Sequence, residues 1–217
     1  MQGFIQWRRW LERAFPKGHD FALLLKEQAA SVAASVELVR DHLDHRPQAQ
    51  GVPTAEDVAR SFEQARLEKH RCLEALNDSF ATEFDREDIF RAIEDLNWIA
   101  EYAARGVEEL HALALVSDDA TGRLAVTVAR GARALSDAYA ALGTDKRAAL
   151  ALAHEGEICD GQARAEYVTA LGALLVPGVD PLEAMKRREV YHHLADAATR
   201  VRRASMVLAN MIVKDPA

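Results

Sequence analysis

Glutamate recurs every seven residues along one stretch of the sequence, at Glu87, Glu94, Glu101 and Glu108. A seven-residue repeat keeps its members along one face of an α-helix, so these carboxylates predict an acidic ribbon. Carboxylate oxygens suit hard cations such as Mg²⁺, Ca²⁺, Mn²⁺ or iron. The same ribbon also fits a solvated outer face, and the spacing leaves both interpretations open.

A smaller acidic cluster follows later in the chain, at Glu155, Glu157 and Asp160. Its members are also close enough in sequence to share a helix surface. We interpret it in the same two ways, as metal ligands or as ordinary polar surface.

No motif for covalent or acid–base catalysis stands out in the sequence. It contains no GxSxG, Walker, GxGxxG or HExxH motif, and no nucleophile is evidently paired with a base. His192 and His193 are adjacent, so on a helix they face different directions and make a poor metal clip. Cys72 and Cys159 lack CxxC spacing and fit small apolar positions near a helix seam. We therefore predict a protein that is not an enzyme.

The overall charge argues against nucleic acid as a partner. The formal net charge is −7 at pH 7, and phosphate backbones attract basic surfaces. Apolar runs are far shorter than the ~20 residues that span a bilayer, and no secretory h-region follows the basic N-terminus. These features predict a cytoplasmic protein.

The first 17 residues differ from the rest in charge and pattern. Four basic residues against one acid give them a net charge of +3, and Phe4, Ile5, Trp7, Trp10 and Leu11 add an apolar side. An amphipathic segment of this kind either docks on its own bundle or contacts an anionic membrane or a partner. Both alternatives stay open, the second placing the protein peripherally at the inner face of the membrane.

The composition predicts an all-α fold with long helices. Alanine accounts for 41 of the 217 residues, aromatic residues for 6%, and no proline lies between Pro53 and Pro177. Apolar spacing of three and four residues and N-cap signals predict six helices. They run from about Asp20 to His42, from the cap Thr54, from Asp85, from Asp119 to Leu142, from Asp145 to Leu175, and from Pro181.

The same apolar spacing predicts which side chains of each helix face the core. For the fifth helix the spacing selects Ile158, Gly161, Ala165, Val168 and Leu175. For the second helix, the row of predicted core-facing side chains extends as far as Phe80.

An internal repeat predicts how the helices are grouped. Arg86-Glu87-Asp88-Ile89-Phe90 is similar to Arg187-Arg188-Glu189-Val190-Tyr191 at an offset of 101 residues. Such a repeat indicates two copies of one three-helix unit. We predict a single domain over 1–217, with an N-terminal helical segment at 1–18 and antiparallel three-helix bundles at 19–116 and 117–217. Homo-oligomers are an alternative that the sequence leaves open.

Several segments resemble the PhoU-like family that is encoded beside Pit-type phosphate permeases. The strongest resemblance is the stretch 80–89, FATEFDREDI, which has Glu83 where the family usually has proline. Residues 11–16, Glu189-Val190-Tyr191 and the ending Ile212-Val213-Lys214 are also similar. The resemblance implies two three-helix bundles and a non-enzymatic regulator or accessory protein of phosphate transport, with the permease as partner. It also implies a structural or partner-facing role for Asp85, Arg86, Glu87 and Asp88.

PhoU proteins bind metal clusters through repeated E/D-x-x-x-D motifs, which are only partly retained in this sequence. Asp160 and Glu101 keep an acid at motif positions, whereas other positions carry Arg66, Asn97-Trp98, Gly156, Ala195 and Thr199. The resemblance therefore implies at most one metal site, centred on Glu157 and Asp160. We carry Glu101, Glu155, Glu157 and Asp160 forward as its candidate ligands for a divalent metal or iron. A metal-binding helical protein is the alternative function.

Overall fold

The computed structural model describes residues 19–44 and 51–214, and these ranges hold six α-helices and no strand. The helices are α1 Phe21–Leu43, α2 Ala55–Asp78, α3 Arg86–Ala112, α4 Asp119–Ala141, α5 Lys146–Leu174 and α6 Pro181–Lys214. The predicted all-α class is confirmed. The amphipathic segment 1–17, predicted as a short helix, lies outside the described residues.

Side-chain caps set most of the helix starts. Asp20 accepts a hydrogen bond from the Leu23 amide at 2.9 Å, and Asp145 accepts one from Ala148 at 2.9 Å. Thr54 and Asp118 each form a reciprocal capping box with the residue three positions later. Because caps are local signals, the bounds of α1, α4 and α5 lie within one residue of the predicted ones.

The helices pack around one continuous apolar core. α1, α2 and α3 contact one another, as do α4, α5 and α6. Further contacts join the two groups, since α1 packs on α4 and α3 pairs with α6 more extensively than any other two helices do. Buried side chains of all six helices belong to the same cluster. The internal repeat and the boundary at 116 remain predictions.

The predicted inward face of α5 is wrong. Ile158, Val168 and Leu175 are 41%, 61% and 76% exposed, and Gly161 and Ala165 are exposed as well. α5 instead packs against its neighbours with a nearly opposite face of small residues, namely Ala149, Ala153, Gly156, Ala163 and Ala170. Both faces carry apolar residues at helical spacing, so periodicity could not choose between them.

The small residues are needed because α5 lies very close to α4 and α6. A methyl group on Gly131 of α4 would sit 3.0 Å from the Cβ of Cys159 and 3.1 Å from a methyl of Val201. A methyl group on Gly156 of α5 would overlap the hydroxyl of Ser205. Larger side chains on this face would force the three helices apart.

The end of α2 also differs from the sequence prediction. The stripe through Val58, Ala65, Cys72 and Leu76 is buried as expected. The helix stops at Asp78, however, and Phe80 lies in the following turn with 91% of its surface exposed. The phenylalanine therefore does not extend the buried stripe.

Two glycine substitutions test the close packing of α4, α5 and α6. We expect Gly131→Ala to lower the free energy of unfolding by about 1–3 kcal/mol, because the added methyl overpacks the seam. Gly161→Ala is the matched control, since nothing lies within 4 Å of the added methyl. It should raise the free energy of unfolding by up to about 1 kcal/mol through helix propensity alone. Urea denaturation measures both values, and equal stabilisation by the two changes would contradict the packing described.

Candidate functional site

The stretch at residues 83–88 forms the turn from α2 into α3 and ties it to other helices. Asp85 caps α3 by accepting hydrogen bonds from the amides of Glu87 at 2.9 Å and Asp88 at 3.2 Å. Arg86 reaches back to α2 and donates to the carbonyls of Leu76 at 2.8 Å and Ser79 at 2.7 Å. These bonds satisfy carbonyls that the end of α2 leaves unpaired.

Three acidic side chains of the same stretch make further hydrogen bonds and ion pairs, two of them with other helices. Asp88 is only 2% exposed and accepts a 2.6 Å hydrogen bond from Lys214 at the end of α6. This bond, with the charge of Asp88, raises the pKa of Lys214. Glu83 accepts from the first-turn amide of Ala22 in α1 at 2.9 Å, and the exposed Glu87 pairs with Arg91. The motif thus joins α1, α2, α3 and α6 at one end of the molecule.

The acidic ribbon of α3 is largely neutralised by cations. Glu94 pairs with Lys69 of α2 at 2.9 Å, and Glu101 pairs with Arg105 one turn later at 2.8 Å. Glu87 is paired as described above, which leaves Glu108 as the ribbon member without an ion pair in the described residues. The ribbon is therefore a row of salt bridges over most of its length.

Asp160 occupies a shielded position between α5 and α6. It is 8% exposed, accepts a hydrogen bond from the hydroxyl of Thr199 at 2.9 Å, and lies 3.9 Å from the guanidinium of Arg202. One turn earlier Glu157 is half-buried, whereas Glu155 is exposed. The structure thus brings Asp160 to Thr199, two of the positions selected by the resemblance, as a hydrogen-bonded pair.

The side chains at the metal-motif positions of α2 and α3 also make contacts, each within its own helix. Arg66 pairs with Glu63 at 2.6 Å, and the buried Asn97 donates a 3.4 Å hydrogen bond to Glu101. Across residues 19–44 and 51–214 no three His, Cys, Asp or Glu side chains are grouped as ligands of one metal ion. The assignment of Glu101, Glu155, Glu157 and Asp160 as metal ligands remains a prediction.

A cluster of aromatic and basic side chains lies along the seam of α3 and α6. The guanidinium of Arg200 lies 5.3 Å from the ring centre of Trp98 and 5.5 Å from that of Tyr102. His193 stacks on Tyr102 at 5.9 Å and contacts Glu109 at 2.8 Å. The spacing of Trp98 and Tyr102 places both on one face of α3, but nothing in the sequence indicated their partners from α6.

Burial and ion pairing oppose each other beside this cluster. Asp95 lies 3.4 Å from Arg200. Burial raises the pKa of Asp95, and the hydrogen bond and charge of Arg200 work against that rise.

The thiol of Cys72 in α2 is also affected by burial, which raises its pKa to about 12. A thiol with so high a pKa is a poor nucleophile at neutral pH.

A groove of about 570 Å³ lies between α4 and α5. Arg123 and Arg130 line it together with the carboxylates of Asp44, Asp119 and Glu166. The carboxylates outnumber the guanidinium groups by three to two, and Glu166 accepts a 3.0 Å hydrogen bond from Thr127. This balance does not favour an anion such as phosphate.

Asp118 holds the connection between α3 and α4 against α6. Its carboxylate accepts hydrogen bonds from Tyr191 at 2.6 Å and Arg187 at 2.7 Å, and it also caps α4 through Thr121. Burial alone would raise the pKa of Asp118, but these hydrogen bonds and the charge of Arg187 hold it below its ordinary value. Arg187 also donates to the carbonyl of Val116 at 3.2 Å.

Two solved structures share this six-helix arrangement. A PhoU-like protein from Shewanella oneidensis MR-1 aligns with a TM-score of 0.72 and 14% identity, over 90% of this chain and 100% of that chain. A second protein of that organism, described as a PhoU-like phosphate regulatory protein, aligns over the same shares with a TM-score of 0.65 and 15% identity. The chain has a PhoU-like fold. No protein-family model and no curated protein matches it.

The PhoU-like fold confirms the architecture that the resemblance implied. Its six helices appear here in residues 19–44 and 51–214. None of these six helices has an apolar stretch that could cross a bilayer.

The Asp118 contacts in this PhoU-like fold predict a pH-dependent contribution to stability. We expect Asp118→Asn to lower the free energy of unfolding by about 1–2 kcal/mol at neutral pH, because asparagine still caps a helix but cannot pair with the Arg187 charge. The folded-state pKa of Asp118 is depressed, so its contribution is present above about pH 4 and disappears as the pH falls through the folded-state value.

Thermal or urea unfolding of both proteins across the acid range measures this difference. Asp20→Asn is the control, since Asp20 caps α1 and has no ion pair among the described contacts. A difference in the free energy of unfolding between wild type and Asp118→Asn that persists unchanged into strong acid would contradict this role of the Asp118 charge.

Proposed function

We propose that the chain is a non-enzymatic regulator of inorganic phosphate transport that acts by binding a Pit-type phosphate permease. The observation that carries the proposal is the end-to-end likeness to a protein described as a PhoU-like phosphate regulatory protein. The resemblance of residues 80–89 to the family encoded beside Pit permeases supports the choice of partner. The protein then acts at the cytoplasmic face of the membrane.

The outward face of α5 is the surface that we propose for the permease. It presents Ile158 and Val168, and Leu175 just after the helix. The start of α6 continues the surface with Leu182 and Met185. Exposed apolar residues that line up over several helical turns are typical of protein contacts. Acidic side chains of the same helix, including Glu155, complement the Lys- and Arg-rich cytoplasmic loops of membrane proteins.

Acid–base or nucleophilic chemistry has little support among the described residues. Both cysteines are buried. Asp160, the most shielded carboxylate of the candidate metal set, is bonded to Thr199 rather than facing a cavity with a nucleophile. We therefore propose regulation by contact in preference to hydrolysis of a phosphate ester.

Charge substitutions on α5 test the proposed permease surface. Val168→Lys and Leu175→Lys place a cation at exposed apolar positions, so folding is preserved while apolar contact is lost and the basic loops of the partner are repelled. We expect each variant to bind the Pit-type permease of the same organism, held in lipid nanodiscs, at least tenfold more weakly than wild type. Biolayer interferometry gives the affinities.

Leu67→Lys is the matched control, because Leu67 is 58% exposed on α2, away from the proposed surface. It should bind like wild type. Absence of wild-type binding would overturn the choice of partner. Equal binding by wild type and all three variants would support the permease as the partner but would overturn the α5 surface as the place where it binds.

A further inference from the structure

Two histidines that are far apart in sequence meet where two helices end. The Nε2 atoms of His42, at the end of α1, and His111, at the end of α3, lie 2.9 Å apart. Their ring centres are 5.1 Å apart, so the two rings point toward each other by their Nε2 atoms.

The main chain fixes which nitrogen of His42 is free to act as a ligand. Nδ1 of His42 lies 2.8 Å from the carbonyl oxygen of Pro53. A carbonyl can only accept, so Nδ1 carries the proton and the lone pair of the neutral ring is on Nε2. Metal-binding histidines are typically oriented by such a bond from the other ring nitrogen to a carbonyl.

The surroundings of the pair favour a cation. His42 and His111 are each the penultimate residue of their helix, and the C-terminal end of a helix carries about half a negative charge. Two such ends therefore meet at the Nε2 atoms. The arginine of the last turn of α1, Arg40, is paired with Glu37 and Asp41. Glu108, one turn before His111, adds an exposed carboxylate without a partner among the described contacts.

We propose that His42 and His111 form a two-histidine site for a borderline divalent cation, Zn²⁺, Ni²⁺ or Cu²⁺. Imidazole nitrogen suits these ions. A tetrahedral ion with Zn–N bonds near 2.0–2.1 Å holds two nitrogens roughly 3.3 Å apart, so opening the pair by about 0.4 Å and tilting the rings admits the ion. His111, which is exposed, moves its proton from Nε2 to Nδ1, and water completes the coordination.

This site is separate from the carboxylate site predicted from sequence. It uses nitrogen ligands of α1 and α3, whereas the predicted ligands are carboxylates of α3 and α5. The two assignments therefore differ in metal preference and in the residues on which binding depends. Neither depends on the permease proposal.

Titration of the untagged full-length protein with ZnCl₂ at neutral pH, followed by calorimetry, tests the two-histidine site. We expect a site whose affinity falls at least tenfold in His42→Ala and in His111→Gln. Glutamine at 111 can still donate a hydrogen bond to His42, so loss of binding there does not reflect loss of the contact. His70→Ala, an exposed histidine of α2, is the control and should bind like wild type, as should Glu157→Gln.

Nuclear magnetic resonance of ¹⁵N-labelled histidine side chains provides a readout of position. Added Zn²⁺ should shift the Nε2 signals of His42 and His111 while Nδ1 of His42 stays protonated. Unchanged zinc affinity in both histidine variants, or shifts confined to other histidines, would overturn the proposal.

Discussion

The pairing of α3 with α6 is the contact on which the rest of the molecule depends. It joins the first three helices to the last three, and Gly106 allows close approach, with the Cβ position of that glycine 3.4 Å from Leu194. Polar contacts mark the antiparallel register along its length, at Asp88 with Lys214 and at Glu109 with His193. Since α1 and α4 bridge the same two groups, a shift along this seam would displace every other interface.

Local signals in the sequence predicted the elements well, and non-local packing was predicted poorly. Caps such as Thr54 and Asp118 act on the next turn, so the helix starts could be identified without tertiary information. The face of α5 depends on how closely α4 and α6 approach, which no spacing within α5 encodes. The contact of His42 with His111 joins residues 69 positions apart, and neither local pattern indicates it.

The resemblance at residues 80–89 is explained by structure more than by ligand chemistry. Asp85 accepts hydrogen bonds from free amides at the start of α3, and Arg86 donates to free carbonyls at the end of α2. Asp88 needs a cation because its carboxylate is buried. Glu83 caps α1, a role that the proline usual at this position could not perform. These constraints belong to the fold. Arg66 and Thr199, at two of the positions that the metal motif selects, are held in other contacts, with Glu63 and Asp160 respectively.

The choice of which face of α5 is buried determines the surface that we propose for the permease. Because only small residues fit between α4 and α6, the larger apolar side chains of α5 have no place inside the molecule. Val168 and Leu175 are left on the outside at the end of the bundle where α1 also finishes, since Leu43 approaches the start of α4. The apolar surface and the histidine pair therefore occupy the same end of the molecule. Ties of side chain to main chain hold that end in place, such as Ser117 to the carbonyl of Leu43 at 2.6 Å. The shape of the surface that we propose for the permease is thus set by the interior of the bundle.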